Sequence, residues 1–243
     1  MPTRLSSVTG RIVGMATLGE RVKGALITKT PVGVTFCRLG NQNDGGYVVV
    51  DDFTQNDHVI SMGVAYDVSF EKALEGKVSW IDAYDYSVNN LPEPIANSRF
   101  FKERIGADSA YVFDRVPKGK DLILKIDIEG GEWAFFESLS EEQVNRFRQI
   151  AVEIHWSIQN PYASIPEVPV DILEKLLKTH QVVVVHPNNY GSVFYADGLT
   201  IPQVIEITLL RRSSYEFLDS PFTKPQLLRP NDPARPELES DVT

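Results

Sequence analysis

Residues 125–133, KIDIEGGEW, hold the densest group of side chains that could carry out chemistry. Asp127, Glu129 and Glu132 are acids that lie beside two glycines at the end of an apolar run. Asp127 and Glu129 share one face of an extended chain, so together they could hold a cationic cofactor, a metal or a substrate hydroxyl. Glu132 is also explained by a structural role, because an acid near a helix N-terminus is favourable by itself.

A second group of reactive side chains occurs in residues 153–156, EIHW, at the end of another apolar run. Glu153 and His155 share a strand face, and histidine is the side chain best suited to accept a proton near neutral pH. His155 is therefore a candidate general base, with Asp127 or Glu153 orienting its ring. The alternative is a structural histidine, which is the more common role of a lone histidine.

Polar residues also follow a strongly apolar run at 186–191, HPNNYG. His186, Asn188 and Asn189 are candidates for binding substrate hydroxyls, although asparagine equally serves the geometry of turns. Glu206 lies within the apolar stretch 204–207, where a buried carboxylate needs a partner that the sequence does not name.

Two earlier turns offer a place for a nucleoside-like ligand. Residues 61–67 contain Gly63 and Ala65, small residues that let the backbone approach a ligand closely. This turn lacks the glycines of the dinucleotide fingerprint, which disfavours a nicotinamide cofactor. Asp85 closes the next apolar run, where a carboxylate can accept hydrogen bonds from a ribose diol. The alternative for residues 61–67 is an ordinary strand-to-helix turn. The alternative for Asp85 is a helix cap or a solvated loop acid.

The elements that must position these residues alternate between apolar runs and helical segments. Seven strands are predicted at residues 58–63, 77–84, 99–105, 122–127, 149–155, 182–185 and 204–210, and helices at 17–27, 67–74, 131–139, from 140, and at 170–179. This alternation predicts a three-layer α/β domain with a doubly wound, mostly parallel sheet. No helix-length segment separates the last two strands, so the seventh strand is expected to be antiparallel. Ligands bind where strand order reverses, at the carboxyl ends of the strands, and we expect Gly63, Asp85 and Asp127 to meet there.

Length and composition indicate one main domain. The chain has 243 residues, 42% of them hydrophobic, and a net charge of −9. We predict an irregular or helical extension at 1–35, the main domain at 36–220 and a proline-rich tail at 221–243. The negative charge disfavours nucleic-acid partners and anionic membranes. Cys37 is the single cysteine, and no apolar run approaches the roughly 20 residues of a bilayer span. We expect a cytoplasmic protein without membrane insertion, of unknown oligomeric state.

Together these stretches resemble the FkbM-type family of S-adenosylmethionine-dependent methyltransferases, from about residue 38 to residue 233. The most specific match is the string KIDIEGGE at 125–132. Weaker matches occur in the expected order at residues 43–47, 61–63, 152–155, 186–189 and 204–207. The resemblance implies a class I methyltransferase sheet of seven strands with an antiparallel last strand. One departure is Ala65, where methyltransferases commonly carry a second glycine.

The resemblance also implies which residues contact the cofactor: Gly63, Ala65, Asp85, Gly106, Asp127 and Glu129. The turn at Gly63 would cradle the methionine part of S-adenosylmethionine, Asp85 would hold the ribose, and the region of Gly106 would border the adenine. Asp127 and Glu129 would line the reaction centre. Members of the family typically methylate hydroxyls of sugars or secondary metabolites, so the expected partner is a small-molecule or glycan substrate.

The reaction expected from this resemblance is an in-line displacement, in which a substrate hydroxyl attacks the sulfonium methyl. Good alignment of the reactants is worth about 7–11 kcal/mol of the barrier. A base that removes the hydroxyl proton adds on the order of 10²–10⁴-fold. A version assisted by a divalent metal such as Mg²⁺ stays open, with Asp127, Glu153 and His155 as candidate ligands. The alternative function is a non-catalytic nucleoside- or glycan-binding protein on the same fold.

Overall fold

The computed structural model describes residues 16–157, 165–221 and 226–242. Within these ranges, helices α1 to α5 span Leu18–Ala25, Ser69–Lys72, Glu132–Ser138, Glu141–Val144 and Glu167–Leu177, and a 3₁₀ helix spans Ser109–Arg115. Strands β1 to β13 span Thr30–Pro31, Phe36–Leu39, Tyr47–Val50, Asp57–Met62, Trp80–Tyr84, Ser98–Phe101, Asp121–Ile126, Phe147–His155, His180–Pro187, Val193–Ala196, Leu199–Pro202, Val204–Arg211 and Phe217–Leu218.

Seven of these strands form the central sheet, in the order β6-β5-β4-β7-β8-β12-β9. The strands from β6 to β8 pair in parallel, whereas β12 runs antiparallel to both β8 and β9. The predicted doubly wound sheet of the class I methyltransferase type, with its antiparallel last strand, is confirmed. Strand order reverses between β4 and β7, so a crevice forms at the carboxyl ends of these strands.

Successive residues of a strand point to opposite sides of the sheet, so its two faces pack against different elements. Ile60, Leu124 and Val152 pack in the larger core with α1, α3, α5 and the 3₁₀ helix. Val59 and Ile123 pack on the other side against α2 and the antiparallel hairpin of β2 and β3. We expected helices on both faces, but this hairpin replaces a helix over much of the second face.

Helix starts follow local capping chemistry. Thr17 and Glu20 form a reciprocal capping box at the start of α1, near the predicted start of the first helix. The second helix is shorter than predicted, because α2 begins only at Ser69. Asp67, at the predicted start of this helix, still accepts a hydrogen bond of 2.9 Å from the N–H of Ser69.

Two features of the second half of the chain were not predicted. A hairpin of β10 and β11 fills the gap between the sixth and seventh predicted strands. Its two-residue turn, Asp197 and Gly198, has φ of +53° and +81°, and Asp-Gly favours such positive angles. The second feature is that the tail packs against the main domain, where Asn231 is 1% exposed. Its main-chain carbonyl accepts a hydrogen bond from the N–H of Asp44, before β3. The predicted boundaries of the extension and tail stay predictions.

Across the described ranges, the helices are too short or too polar for any of them to span a bilayer.

Candidate functional site

A cleft of about 530 Å³ opens where β4, β5 and β7 end. This volume lies within the range of small-molecule sites, about 300–1,000 Å³. Five of the six predicted cofactor residues line it: Gly63, Ala65, Asp85, Asp127 and Glu129. Gly106 is not part of the wall, although its neighbour Ile105 is. Five separate segments of the chain, at 63–65, 84–87, 103–105, 127–131 and 157, therefore converge on one cavity.

Gly63 fits its position because neighbouring backbone leaves no room for a side chain. Its φ is +79°, and a Cβ there would lie 1.7 Å from the main-chain oxygen of Asp127. The N–H of Gly63 donates to the oxygen of Tyr84 at 2.9 Å, and its own oxygen accepts from Lys125 Nζ. The turn after β4 is thus fixed to both neighbouring strands.

Ala65 adopts a left-handed backbone with φ of +40°, a conformation that costs an L-residue roughly 1–2 kcal/mol. Asp85 holds it there, because Asp85 Oδ2 accepts hydrogen bonds from the N–H groups of Val64 and Ala65 at 3.1 and 2.8 Å. The residue at the predicted site of a second glycine therefore has the backbone that glycine would favour.

Both carboxylate oxygens of Asp85 are already engaged. Asp85 Oδ1 accepts two bonds of 2.6 Å from the N–H and hydroxyl of Ser87. Burial alone raises the pKa of Asp85, but the hydrogen bonds from Ser87, Ala65 and Val64 bring it below its usual value. Four hydrogen bonds use the acceptor sites that a carboxylate offers. A ribose diol would have to displace Ser87, and this contact stays a prediction.

Asp127 is supported from behind by two side chains that we did not predict. Tyr47 donates to Asp127 Oδ2 at 3.2 Å, and Lys125 Nζ lies 3.9 Å from the same oxygen. Burial, together with the charges of Asp127, Glu153 and Glu206, raises the pKa of Tyr47 well above its ordinary value, so the phenol stays a donor. Both residues lie in stretches that carry the family resemblance, Tyr47 in residues 43–47 and Lys125 in residues 125–132. Those stretches were the sequence signal that could have revealed them.

His155 lies among three carboxylates. Its Nδ1 is 2.9 Å from Glu132 Oε1, while its Nε2 is 3.3 Å from Glu153 Oε1 and 3.5 Å from Glu129 Oε2. Burial by itself lowers the pKa of His155, but Glu132 and Glu153 outweigh burial and raise it to about 11. The ring is therefore a cation at neutral pH, which differs from the free base that we expected. Its role as the base stays a prediction.

Glu132 orients His155 more directly than the predicted partners, Asp127 and Glu153. It is fully buried, and its Oε1 also accepts from the N–H of Ile128 at 3.1 Å. The expected helix-start position is correct, because Glu132 begins α3. Burial raises the pKa of Glu153 to about 7, and hydrogen bonding to His155 opposes that rise.

Two sets of side chains bring possible metal ligands together within the described ranges. Asp127, Glu153 and His155, the predicted candidates, offer atoms that all lie within 4.8 Å of one another. Asp44, Glu153 and Glu206 form a second set with the same spacing. Glu153 belongs to both.

The predicted substrate residues lie beside this region but outside the cleft wall. His186 is 1% exposed, and its Nδ1 lies 3.1 Å from Glu206 Oε2, the partner that the sequence left unnamed. Asn188 Nδ2 lies 3.3 Å from both oxygens of Glu153. Asn189 instead binds the tail, since its Nδ2 contacts the main-chain oxygen of Asp232 at 2.8 Å. Substrate binding by these three residues stays a prediction.

Comparison with known proteins yields similarity only to solved structures. No protein-family model matches the chain, and no curated protein matches it. A Listeria monocytogenes protein assigned as an S-adenosylmethionine-dependent methyltransferase aligns with a TM-score of 0.43 and 13% identity, over 66% of this chain and 92% of that one. An rRNA methylase from Streptococcus thermophilus aligns with a TM-score of 0.38 and 10% identity, over 65% and 89%.

A chain of the fibrillarin/Nop5p complex is similar to the same degree, with a TM-score of 0.39 and 13% identity over 65% of this chain and 74% of that one. Likeness at this level concerns the arrangement of the sheet and does not decide an activity or a substrate. Membership of the FkbM-type family stays a prediction, and the function has to be argued from the site itself.

Proposed function

We propose that this protein is an S-adenosylmethionine-dependent methyltransferase that acts on a hydroxyl of a saccharide or secondary metabolite. The observation that carries the proposal is the meeting of Gly63, Asp85, Asp127 and Glu129 around one cleft. The cleft lies where strand order reverses, which is where open α/β sheets bind their ligands.

The chemistry of the cleft wall suits a sulfonium nucleoside. Asp127 and Glu129 carry negative charge that would attract the sulfonium cation. Tyr86, Ile105 and Ile128 offer aromatic and apolar surface to the adenine. S-adenosylmethionine supplies an electrophilic methyl group, so the main task left to the protein is to position and deprotonate the acceptor.

We assign the acceptor hydroxyl to the space beside Asp127, next to the pair formed by His155 and Glu153. Asp127, held by Tyr47, would accept a hydrogen bond from the hydroxyl and orient its oxygen. The hydroxyl proton would pass to Glu153, whose pKa is raised to about 7 by burial, beside the charged ring of His155. Glu132 would keep the imidazole in position during this transfer.

Titration calorimetry with S-adenosylmethionine tests the cofactor assignment. We expect saturable binding of one equivalent, weaker binding by Asp127→Asn, and no binding of NAD⁺. Asp51→Asn is the matched control, because Asp51 is an exposed acid outside the cleft. A chain that binds neither S-adenosylmethionine nor S-adenosylhomocysteine would contradict the proposal.

Transfer of a labelled methyl group to hydroxyl-bearing sugars and secondary metabolites tests the reaction. We expect label in at least one acceptor, as an ether that resists mild base. Tight cofactor binding without transfer to any acceptor would instead support the non-catalytic binding protein.

A further inference from the structure

Three carboxylates converge beside the cleft without serving the proposed cofactor contacts. Asp44 comes from the turn before β3, Glu153 from the end of β8, and Glu206 from the start of β12. Each offers an oxygen within 4.8 Å of the other two. Glu153 and Glu206 are 7% and 5% exposed, whereas Asp44 is exposed. We call these three residues the oxygen cluster.

The protein partners of the oxygen cluster offset only part of its charge: His155 faces Glu153, and the guanidinium of Arg38 attracts Glu206. Asn188 Nδ2 lies 3.3 Å from Glu153 and 3.5 Å from Asp44, which is long for an N–H···O bond. His186 contacts Glu206, and His155 contacts Glu153 at 3.3 Å while sharing its ring with Glu132. Charged carboxylates this close repel one another unless one is protonated or a cation lies between them, and the burial of Glu153 and Glu206 strengthens the repulsion.

Asn231 supplies an independent sign of a missing ligand. Its side chain is 99% buried within the cluster, where Nδ2 contacts Glu206 Oε1 and lies 3.2 Å from Asp44 Oδ1. Its Oδ1 is buried and has no partner among the described residues. A buried carbonyl oxygen without a partner costs about 1–3 kcal/mol. The two ends of a carboxamide are nearly equal in shape, so a half-turn would exchange Nδ2 for this oxygen. The exchange would give up the hydrogen bonds to Glu206 and Asp44 and turn the oxygen toward a cation bound between them.

We propose that Asp44, Glu153 and Glu206 bind one divalent cation of the Mg²⁺ or Ca²⁺ class, with the carboxamide oxygen of Asn231 as a further ligand. An all-oxygen set of carboxylates and an amide is what these hard cations prefer. The exposed Asp44 provides a path of entry from solvent. The alternative set at Asp127 is less suitable, because both ring nitrogens of His155 already face carboxylates.

The cation also has a place in the proposed reaction, and this part rests on the proposed function. Glu153 is shared with the set that contains Asp127, so a ligand on the cation lies near the cleft. A hydroxyl bound to the cation would be polarised, and its proton would be easier to remove. Acceptors with two neighbouring hydroxyls, such as sugars, could bind the cation with one and present the other for methylation.

Titration of the full chain with Mn²⁺ alone, followed by electron paramagnetic resonance, tests the site without any cofactor. We expect one saturable equivalent, displaced by Mg²⁺ or Ca²⁺. Asp44→Asn should weaken binding by about tenfold or more, as loss of a supporting or ligating group does. Because Asp44 is exposed, this variant is expected to fold, and circular dichroism checks that it does. Asp51→Asn, an exposed acid near the same hairpin, should bind Mn²⁺ like the wild type.

Absence of saturable Mn²⁺ binding by the wild type would overturn the proposal. So would normal binding by folded Asp44→Asn together with loss of binding by Asp127→Asn, since that result places the cation on the other set. Titration of the same preparations with S-adenosylmethionine keeps the two proposals separate. Mn²⁺ binding without cofactor binding would contradict the methyltransferase proposal and support the cation site. Cofactor binding without Mn²⁺ binding would contradict only the cation site.

Discussion

His155 shows how neighbours change the chemistry of a residue whose position in a strand suggested a free base. Glu132 at its Nδ1 and Glu153 at its Nε2 favour the charged ring over the neutral one. The sequence places His155 at the end of a strand near acids, and the structure brings its ring within 3.5 Å of three carboxylates. The sequence did not reveal Glu132 as the partner, because that contact depends on how the chain turns into α3.

The protonation state of His155 can be measured directly by NMR titration of its imidazole carbon signals. We expect the ring to stay protonated through pH 8, because its pKa is raised to about 11. Glu132→Gln should lower this pKa, since it removes a carboxylate at 2.9 Å. A wild-type signal that titrates near pH 6.5 would contradict this view.

The role of His155 in the reaction requires kinetic data. His155→Ala should lower turnover far more than it lowers cofactor affinity, because His155 faces the proposed acceptor and does not line the cleft. Labelled methyl transfer gives the turnover, and calorimetry gives the affinity. Unchanged turnover would remove His155 from the mechanism.

The left-handed backbone of Ala65 is strained because of the alanine methyl group, and replacing Ala65 with glycine removes that group. Ala65→Gly should stabilise the protein by about 0.5–1 kcal/mol, because the relief of the left-handed backbone exceeds the added freedom of the unfolded chain. The control is Ala73→Gly at φ of −66°, which should cost about 0.5–1 kcal/mol. Urea unfolding measures both. Equal losses in the two variants would show that φ of +40° at Ala65 carries no strain.

At the scale of elements, a buried ion pair joins the two halves of the sheet. Arg148, near the start of β8, donates to Asp57 at 2.9 Å, and the side chains are 11% and 2% exposed. Arg148 also pairs with Asp52, and Tyr215 donates to the same Asp52 at 2.8 Å. These contacts connect the starts of β4 and β8, so they hold the strand ends opposite the cleft.

Loss of the ion pair between Arg148 and Asp57 should destabilise the protein. Arg148→Met should lower the free energy of unfolding by about 3–5 kcal/mol, since it leaves Asp57 buried without its counter-charge. Arg21→Met is the control, because Arg21 pairs with exposed acids on α5 and should cost less than about 1 kcal/mol. Chemical denaturation of both variants checks the difference. A similar small loss in both would show that the buried pair adds no stability.

Element types followed from the sequence where hydrophobic patterns were long, as in α5 and in β7, β8 and β12. Element types could not be predicted from the sequence where tertiary packing determines them. The second face of the sheet is covered by the β2–β3 hairpin, because Val49 and Leu39 pack on it as a helix would. The β10–β11 hairpin was missed although its Asp-Gly turn is a recognised signal.

At the scale of the whole molecule, one rule accounts for most of what the sequence predicted about the site. Parallel strands end at one edge of the sheet, so residues that close separate strands meet there. This places Gly63, Asp85 and Asp127 around the cleft. The rule does not extend to residues that approach from other layers, and so Tyr47 and Asn231 were not foreseen. Both reach the site only after the hairpin and the tail pack against the sheet.

The most direct test of the central claim is a crystal structure of the protein with S-adenosylhomocysteine bound. We expect the nucleoside in the cleft between Gly63 and Gly131, with its sulfur beside Asp127 and its adenine near Tyr86 or Ile105. Density for the ligand elsewhere, such as the separate cavity between Leu26 and Val184, would contradict the account.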